Sequence, residues 1–249
     1  MTVAPDVGAA PRKHGVLYLI PTHLAAATAA NTSSVLPVTV VATALRLNHY
    51  IAENAKTARA FLKAIGINRP LAEIDIVELD KHAPSSDASP LLAPLLHGED
   101  VGLVSEAGAP AVADPGSLVV AAAHRAGIVV KPLVGPSALL MALMASGLNG
   151  QSFAFHGYLP QERIARSKQI QALEQQSRRQ AMTQMIIETP YRNQALLHDL
   201  ITTLAPATRL CIASDLTGDL ESIQTRPAAF WRQNPPTLEK LPTMFLFLA

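Results

Sequence analysis

The chain has little of what usually narrows a protein's class. One cysteine, Cys211, among 249 residues rules out an internal disulfide and removes any argument for an oxidising compartment. In an apolar run it reads as a small buried hydrophobe. Charged residues are 16% of the chain, where about 25% is usual. With a formal net charge of +1, no molecule-wide field demands nucleic acid or an anionic membrane. Apolar runs are short as well. The best, Leu133 to Leu148, is interrupted by Gly135, Pro136 and two serines, whereas a bilayer span needs about 20 residues. Arg12, Lys13 and His14 imitate the start of a secretory signal, but the following run stops at Pro21 after five residues, short of the roughly 7–15 required. A cytoplasmic protein without a membrane anchor is expected. No GxGxxG follows an apolar run and no GxxxxGK[ST] occurs, which leaves a nicotinamide or flavin Rossmann reading unsupported and excludes a P-loop. The eight histidines form neither HExxH nor an i, i+4 pair, so no metal is expected.

What is present is apolar and periodic. Apolar residues reach 49%, which excludes disorder, and the length suits two modest α/β domains. Residues 1–14 lack periodicity and read as a tail. Val16–Ile20 is a buried strand, His23–Ser34 a long loop, Val38–Leu47 a helix and His49–Ile51 a strand. Asn54–Ile65 is an amphipathic helix stopped by Gly66. Ile74, Ile76 and Leu79 mark a third strand, Pro84–Pro90 a loop and Leu91–Leu96 a short helix. This alternation predicts a parallel sheet with crossover helices. Val101–Val104 then opens a strand, loop, helix (Ser117–Ala126) and strand series, and Leu139–Ala145 is an apolar helix.

Gly147–Gly150 is read as a boundary, giving domains at 15–147 and 148–249. Beyond it, strands are expected at Phe153–Phe155, Met185–Glu188, Arg209–Ser214 and Met244–Leu248. Helices are expected at Gln161–Gln180 and Asn193–Leu204, while the segment around Phe230 and Trp231 stays undefined.

The loop Ser105 to Gly116 follows the strand Val101–Val104, and ligands of open α/β sheets bind outside the carboxyl ends of strands. Gly108 and Gly116 permit positive φ or close backbone approach, and Asp114-Pro115 reads as an N-cap followed by a first helical residue. Gly135-Pro136-Ser137-Ala138 is a second turn-to-helix junction, open to reading as a ligand contact or a simple cap. Glu188-Thr189-Pro190-Tyr191-Arg192 and Asp215-Leu216-Thr217 leave the sheet at the ends of later strands. For the first of these a surface salt bridge is the plain alternative. Arg163, Arg166, Lys168, Arg178 and Arg179 make one helix basic, as a solvated face or an RNA contact.

The runs SEAGAPAVADPG, GPSALLMALMASGL, FAFHGYLP, ETPYR and CIASDLT resemble the tetrapyrrole methylase family, the class III S-adenosylmethionine-dependent methyltransferases. The most similar branch is the small-subunit ribosomal RNA methyltransferase I branch, which methylates a ribose 2′-hydroxyl. The resemblance implies two α/β domains, the first a mainly parallel sheet and the second mixed, with S-adenosylmethionine in the cleft between them and a homodimer as the assembly. On matching positions it implies donor contacts at Pro21, Glu106, Ala107, Gly108, Ala109, Val112, Ser137, Ala138, Glu188 and Leu216. The departures lie elsewhere. His23-Leu24 stands where the branch continues with proline and an IGNLGD-like loop, Glu53-Asn54-Ala55-Lys56 replaces an acidic-Asp-Thr-Arg segment, and Gly218 replaces a lysine after DLT.

Methyl transfer from a sulfonium is an in-line displacement, so alignment is the main demand on the protein. A hydroxyl acceptor also loses a proton, for which Glu188 and Asp215 are the candidate acids to inspect. The leading expectation is methylation of ribosomal RNA, with release of S-adenosylhomocysteine. C-methylation of a tetrapyrrole and non-catalytic donor binding are the alternatives.

Overall fold

A computed structural model describes residues 13–25, 29–79 and 88–249. The expected tail falls almost wholly outside the described residues, as does most of the Pro84–Pro90 loop. By its contacts the chain divides after Pro136, with Leu24 and Ala25 grouping with the second unit.

The first unit runs β1 (Val16–Ile20), α1 (Ala29–Val35), α2 (Val38–Arg46), β2 (His49–Ala52), α3 (Ala55–Ala64), β3 (Asp75–Glu78), α4 (Ala93–Leu96), β4 (Val101–Val104), α5 (Ser117–Arg125) and β5 (Val129–Pro132). Its sheet has the order β3-β2-β4-β1-β5, parallel throughout. Every residue of β4 is buried, as a strand covered on both faces requires. Alternate residues serve the two faces. Tyr18, Ile20 and Val104 join Val40, Ala44 and Phe61, while Leu17 and Leu103 join Leu95, Val119 and Ala123. Each fully buried aliphatic side chain contributes about 1.5–3 kcal/mol.

The sequence expectation of a loop across His23–Ser34 is corrected here, because α1 begins at Ala29. Its composition gives little helix preference. The segment is held by tertiary contacts: Thr32 meets His23 Nε2 at 3.1 Å and the Ala64 carbonyl at 3.5 Å, and Leu36 is buried. α3 forms as expected, with the Asn54 side chain accepting the Lys56 and Thr57 amides.

The second unit runs α6 (Ala138–Ser146), β6 (Phe153–Phe155), α7 (Arg163–Gln180), β7 (Thr183–Glu188), α8 (Asn193–Thr203), β8 (Arg209–Ser214), β9 (Ser222–Pro227), α9 (Ala228–Gln233) and β10 (Thr243–Leu248). The sheet order is β6-β7-β10-β8-β9. β6 and β7 are parallel and the remaining pairs antiparallel. The undefined segment around Phe230 and Trp231 resolves into the end of β9 and all of α9. β9 is mostly exposed, so it lacked the apolar signal that marks a buried strand. α6 belongs to this unit, ahead of the glycine break at Gly147–Gly150, because Ala142 and Leu143 pack with Met185, Cys211, Ala213 and Leu246.

Cys211 is fully buried, and burial raises its thiol pKa. α7 is less basic at its surface than its sequence suggested. Arg166 is buried, its Nε donating to Asp199 Oδ2 at 2.7 Å and its Nη1 to the Pro160 and Gln161 carbonyls at 3.1 and 2.8 Å. Among the described residues, no helix is long and apolar enough to cross a membrane.

Candidate functional site

In the first unit the candidate residues gather at the carboxyl edge of the parallel sheet. The β1 and β4 registers end together, Ile20 opposite Val104, so Pro21-Thr22 and the loop from Ser105 start side by side. The Thr22 amide donates to the Gly108 carbonyl at 2.9 Å, which joins the two strand ends. Gly108 has a φ of 72°, a conformation glycine adopts without strain. Gly135, beyond β5, lies so close to Pro21 that a β-carbon there would overlap the proline ring. Pro21, Gly108 and Gly135 are thus brought together, and the Gly135 contact had no signal in local sequence beyond the glycine itself.

The rest of the loop is held open by Asp114. Its carboxylate accepts the Ala111 amide at 2.9 and 3.0 Å and the Gly116 amide at 2.7 Å. Burial pushes this carboxyl above its ordinary range, against the Gly116 and Ala111 amides that favour the charged form. The reading of Asp114 as N-cap of α5 is corrected: Gly116 takes the cap position, and Asp114 ties the turn that precedes it. Gly116 has a helical φ of −59°, and its lack of a side chain leaves room for Asp114 Oδ1 and Leu103. Ala111 and Ala113 are held at φ of 65° and 63°, where alanine is strained.

Ala107 and Val112 are exposed and Ala109 is half-buried. Among the described residues, none accepts a hydrogen bond from the Ala107, Ala109 or Val112 amides. Glu106 is exposed, and its amide donates to Glu53 Oε2 at 3.1 Å. Beside the loop lies a hollow of about 490 Å³ lined by Leu19, Ala109, Val112, Val120 and Leu133 among others. Unbonded amides, small side chains and an apolar wall suit a ligand with an anionic end and an apolar body.

His23 follows directly. It is 5% exposed, its Nδ1 has no partner among the described residues, and burial lowers its pKa.

In the second unit, Ser137 occupies the N-cap position of α6 without making a side-chain cap bond, and Ala138 and Leu216 pack in the cluster beneath α6. Glu188 and Ser214 both pair with Thr243 of β10. The ends of β7 and β8 are therefore separated by one strand, about 10 Å. The Glu188–Arg192 pair is not a surface bridge, since the Glu188 side chain is only 1% exposed. One of its oxygens accepts from Arg192 Nη2 and the other from the Thr189 amide at 2.7 Å. Asp215 is buried, with its Oδ2 accepting the Leu220 amide at 2.9 Å and its backbone at a φ of 50°. A β-carbon at position 218 would overlap that carboxylate, which explains why Gly218 stands in this turn. Both candidate acids are engaged in the fold. Among the described residues, no three potential metal ligands cluster.

No family model matches the chain. Curated relatives do. A protein of Synechocystis sp. is 33% identical over 226 residues, covering 89% of this chain and 76% of the relative. One of Xylella fastidiosa is 36% identical over 185 residues, covering 71% and 64%, and one of Escherichia coli O157:H7 is 34% identical over 176 residues, covering 71% and 58%. Each is named ribosomal RNA small subunit methyltransferase I. The chain spans 64% and 58% of the length of two of these curated relatives. Two solved structures share the fold, each match covering 94% of both chains. They are uroporphyrin-III-C-methyltransferase from Thermus thermophilus, with a TM-score of 0.54 at 16% identity, and the methyltransferase CobJ, with a TM-score of 0.59 at 17% identity.

Proposed function

The chain belongs to the ribosomal RNA small subunit methyltransferase I family, and we propose that it methylates a ribose 2′-hydroxyl of small-subunit ribosomal RNA, using S-adenosylmethionine as donor. The observation that carries this reading is the loop Ser105–Gly116, tied by Asp114 and presenting the Ala107, Ala109 and Val112 amides, which meet no acceptor among the described residues, at the sheet's carboxyl edge. When bound, S-adenosylmethionine supplies a methyl group whose sulfur leaving group is already activated.

In this reading the first unit holds the donor through Pro21, Glu106, Ala107, Gly108, Ala109 and Val112. The Ala107, Ala109 and Val112 amides receive the carboxylate end, and the small side chains admit close approach of the backbone. The same reading assigns donor contacts to Ser137, Ala138, Glu188 and Leu216 of the second unit. A larger side chain at Gly108 or Ala109 would fill the space it needs.

The chain's contribution to chemistry is alignment. Holding the acceptor oxygen, methyl carbon and sulfur in line converts a bimolecular displacement into an effectively unimolecular one. The acceptor oxygen would take the methyl group of bound S-adenosylmethionine, which would leave as S-adenosylhomocysteine, and the hydroxyl proton would pass to water. Glu188 is covered by Arg192 and Asp215 holds its own turn, so neither is assigned the proton. An RNA acceptor places the protein in the cytoplasm, and the homodimer expected from the resemblance is read by light scattering.

The deciding experiment incubates the chain with radiolabelled donor and small ribosomal subunits from a strain lacking its gene. Label in ribosomal RNA that maps to an alkali-resistant linkage supports the proposal. Label in a porphyrinoid extract instead, or donor binding without transfer to either, overturns it.

A further inference from the structure

We infer that Tyr191, Lys240 and Tyr158 form a platform for single-stranded RNA, two rings stacking on bases and the ammonium meeting the phosphate between them. This rests on the RNA reading above and extends it to residues with no part in holding the donor.

The chain has four tyrosines, and they divide sharply. Tyr18 and Tyr50 are 7% and 1% exposed, inside the first core, whereas Tyr158 and Tyr191 are 57% and 83% exposed. The exposed pair emerges from neighbouring strands. β6 and β7 are parallel, with Phe155 opposite Met185, and the Ile187 amide donates to the Gly157 carbonyl at 3.1 Å. Tyr158 therefore leaves the sheet beside the end of β7, and Tyr191 leaves it three residues after Glu188.

Tyr191 is presented rigidly. The Arg192 amide donates to the Thr189 carbonyl at 2.9 Å, closing a turn in which Pro190 fixes the backbone before Tyr191. Lys240 Nζ lies 5.5 Å from the centre of the Tyr191 ring. Its loop is pinned to the start of α8, where Asn193 Nδ2 donates to the Leu241 carbonyl at 2.7 Å and the Leu238 amide donates to Gln194 Oε1 at 2.9 Å. The Glu188 charge is matched by Arg192, so it does not repel a phosphate approaching Lys240.

Exposed rings from adjacent strands with a cation beside them are the elements by which proteins stack successive unpaired bases. Such a platform selects single strands over duplex, because duplex bases already cover their faces by stacking on their neighbours.

The test measures binding of the full chain to a fluorescein-labelled single-stranded oligoribonucleotide and to its duplex, with Tyr191→Ala, Tyr158→Ala, Tyr191→Phe and Lys240→Gln. Each tyrosine-to-alanine change is expected to weaken single-strand binding about 5- to 150-fold, the contribution of one base–aromatic stack, while Tyr191→Phe retains it. Lys240→Gln should reduce the salt slope by about 0.7, one phosphate contact on a single strand. Calorimetric affinity for S-adenosylhomocysteine should not change in any variant, which establishes that the fold is kept. A parent chain that methylates RNA, with alanine variants that bind single strands as it does, overturns this inference alone. A parent chain that neither binds nor methylates RNA overturns the functional reading with it. Variants that keep RNA binding but lose association with ribosomal proteins would identify a protein contact and refute the platform.

Discussion

Replacing Asp114 by alanine removes the tie that holds the Ser105–Gly116 loop, to which the proposed function assigns the methyl donor. The two strained alanines, at φ of 65° and 63°, cost about 1–2 kcal/mol each, so the loop carries about 2–4 kcal/mol of strain. A hydrogen bond to a charged acceptor contributes about 1.5–3 kcal/mol, and the two amides Asp114 binds supply about 3–6 kcal/mol. The surplus is slim, and Asp114→Ala reverses it. Ala111 and Ala113 then relax toward ordinary backbone angles, water meets the freed amides, and the open loop becomes a minority conformer. Donor affinity falls in proportion to that population, by about 30- to 1,000-fold for about 2–4 kcal/mol of strain left unopposed. Calorimetric titration with S-adenosylhomocysteine measures the loss, and amide exchange at Ala111 and Gly116 reports the loop without the ligand. Ala113→Gly in the same background should recover part of the affinity, because glycine carries no left-handed penalty. Parental affinity together with parental amide protection in Asp114→Ala would refute the reasoning.

Gly135→Ala drives a β-carbon into the Pro21 ring. The overpacking should cost about 1–3 kcal/mol and lower Tm by about 2–4 °C per kcal/mol; a Tm equal to the parent's would show that the contact is soft. Burial holds the His23 imidazole below its ordinary 6.5, so the folded chain favours the neutral ring. Its contribution is fully present above 6.5 and declines as pH falls below that value toward the folded pKa. His23→Gln should flatten the drop in urea midpoint over that window, and parallel pH curves for the two proteins would contradict it. Arg166→Ala leaves Asp199 buried without its main partner and should cost about 3–5 kcal/mol, read as a loss in urea midpoint; a loss under about 1 kcal/mol, the usual worth of a surface pair, would mean that water reaches the site.

Several elements were plain in the sequence because their signal is local. The Asn54 cap and Gly66 stop bracket α3, and the apolar runs of β1, β4 and β8 needed no partner to be read as buried strands. The Ser105–Gly116 loop followed from its glycines and its place after β4. The runs around it, in their order, were enough to indicate the family.

The structure decided what depends on residues far apart in the chain. β9 is mostly exposed and carries no pattern of its own, so its pairing with β8 defines it. α1 has weak helix preference and forms against His23 and Ala64. Arg166 resembled its basic neighbours on α7 until Asp199, on the next helix, removed it from solvent. The same holds for Glu188 and Asp215, whose availability as bases turned on hydrogen bonds made only in the folded turns. A sequence records which groups exist and their local spacing. Burial and pairing belong to the assembled chain, because each is an interaction with atoms that only folding brings near.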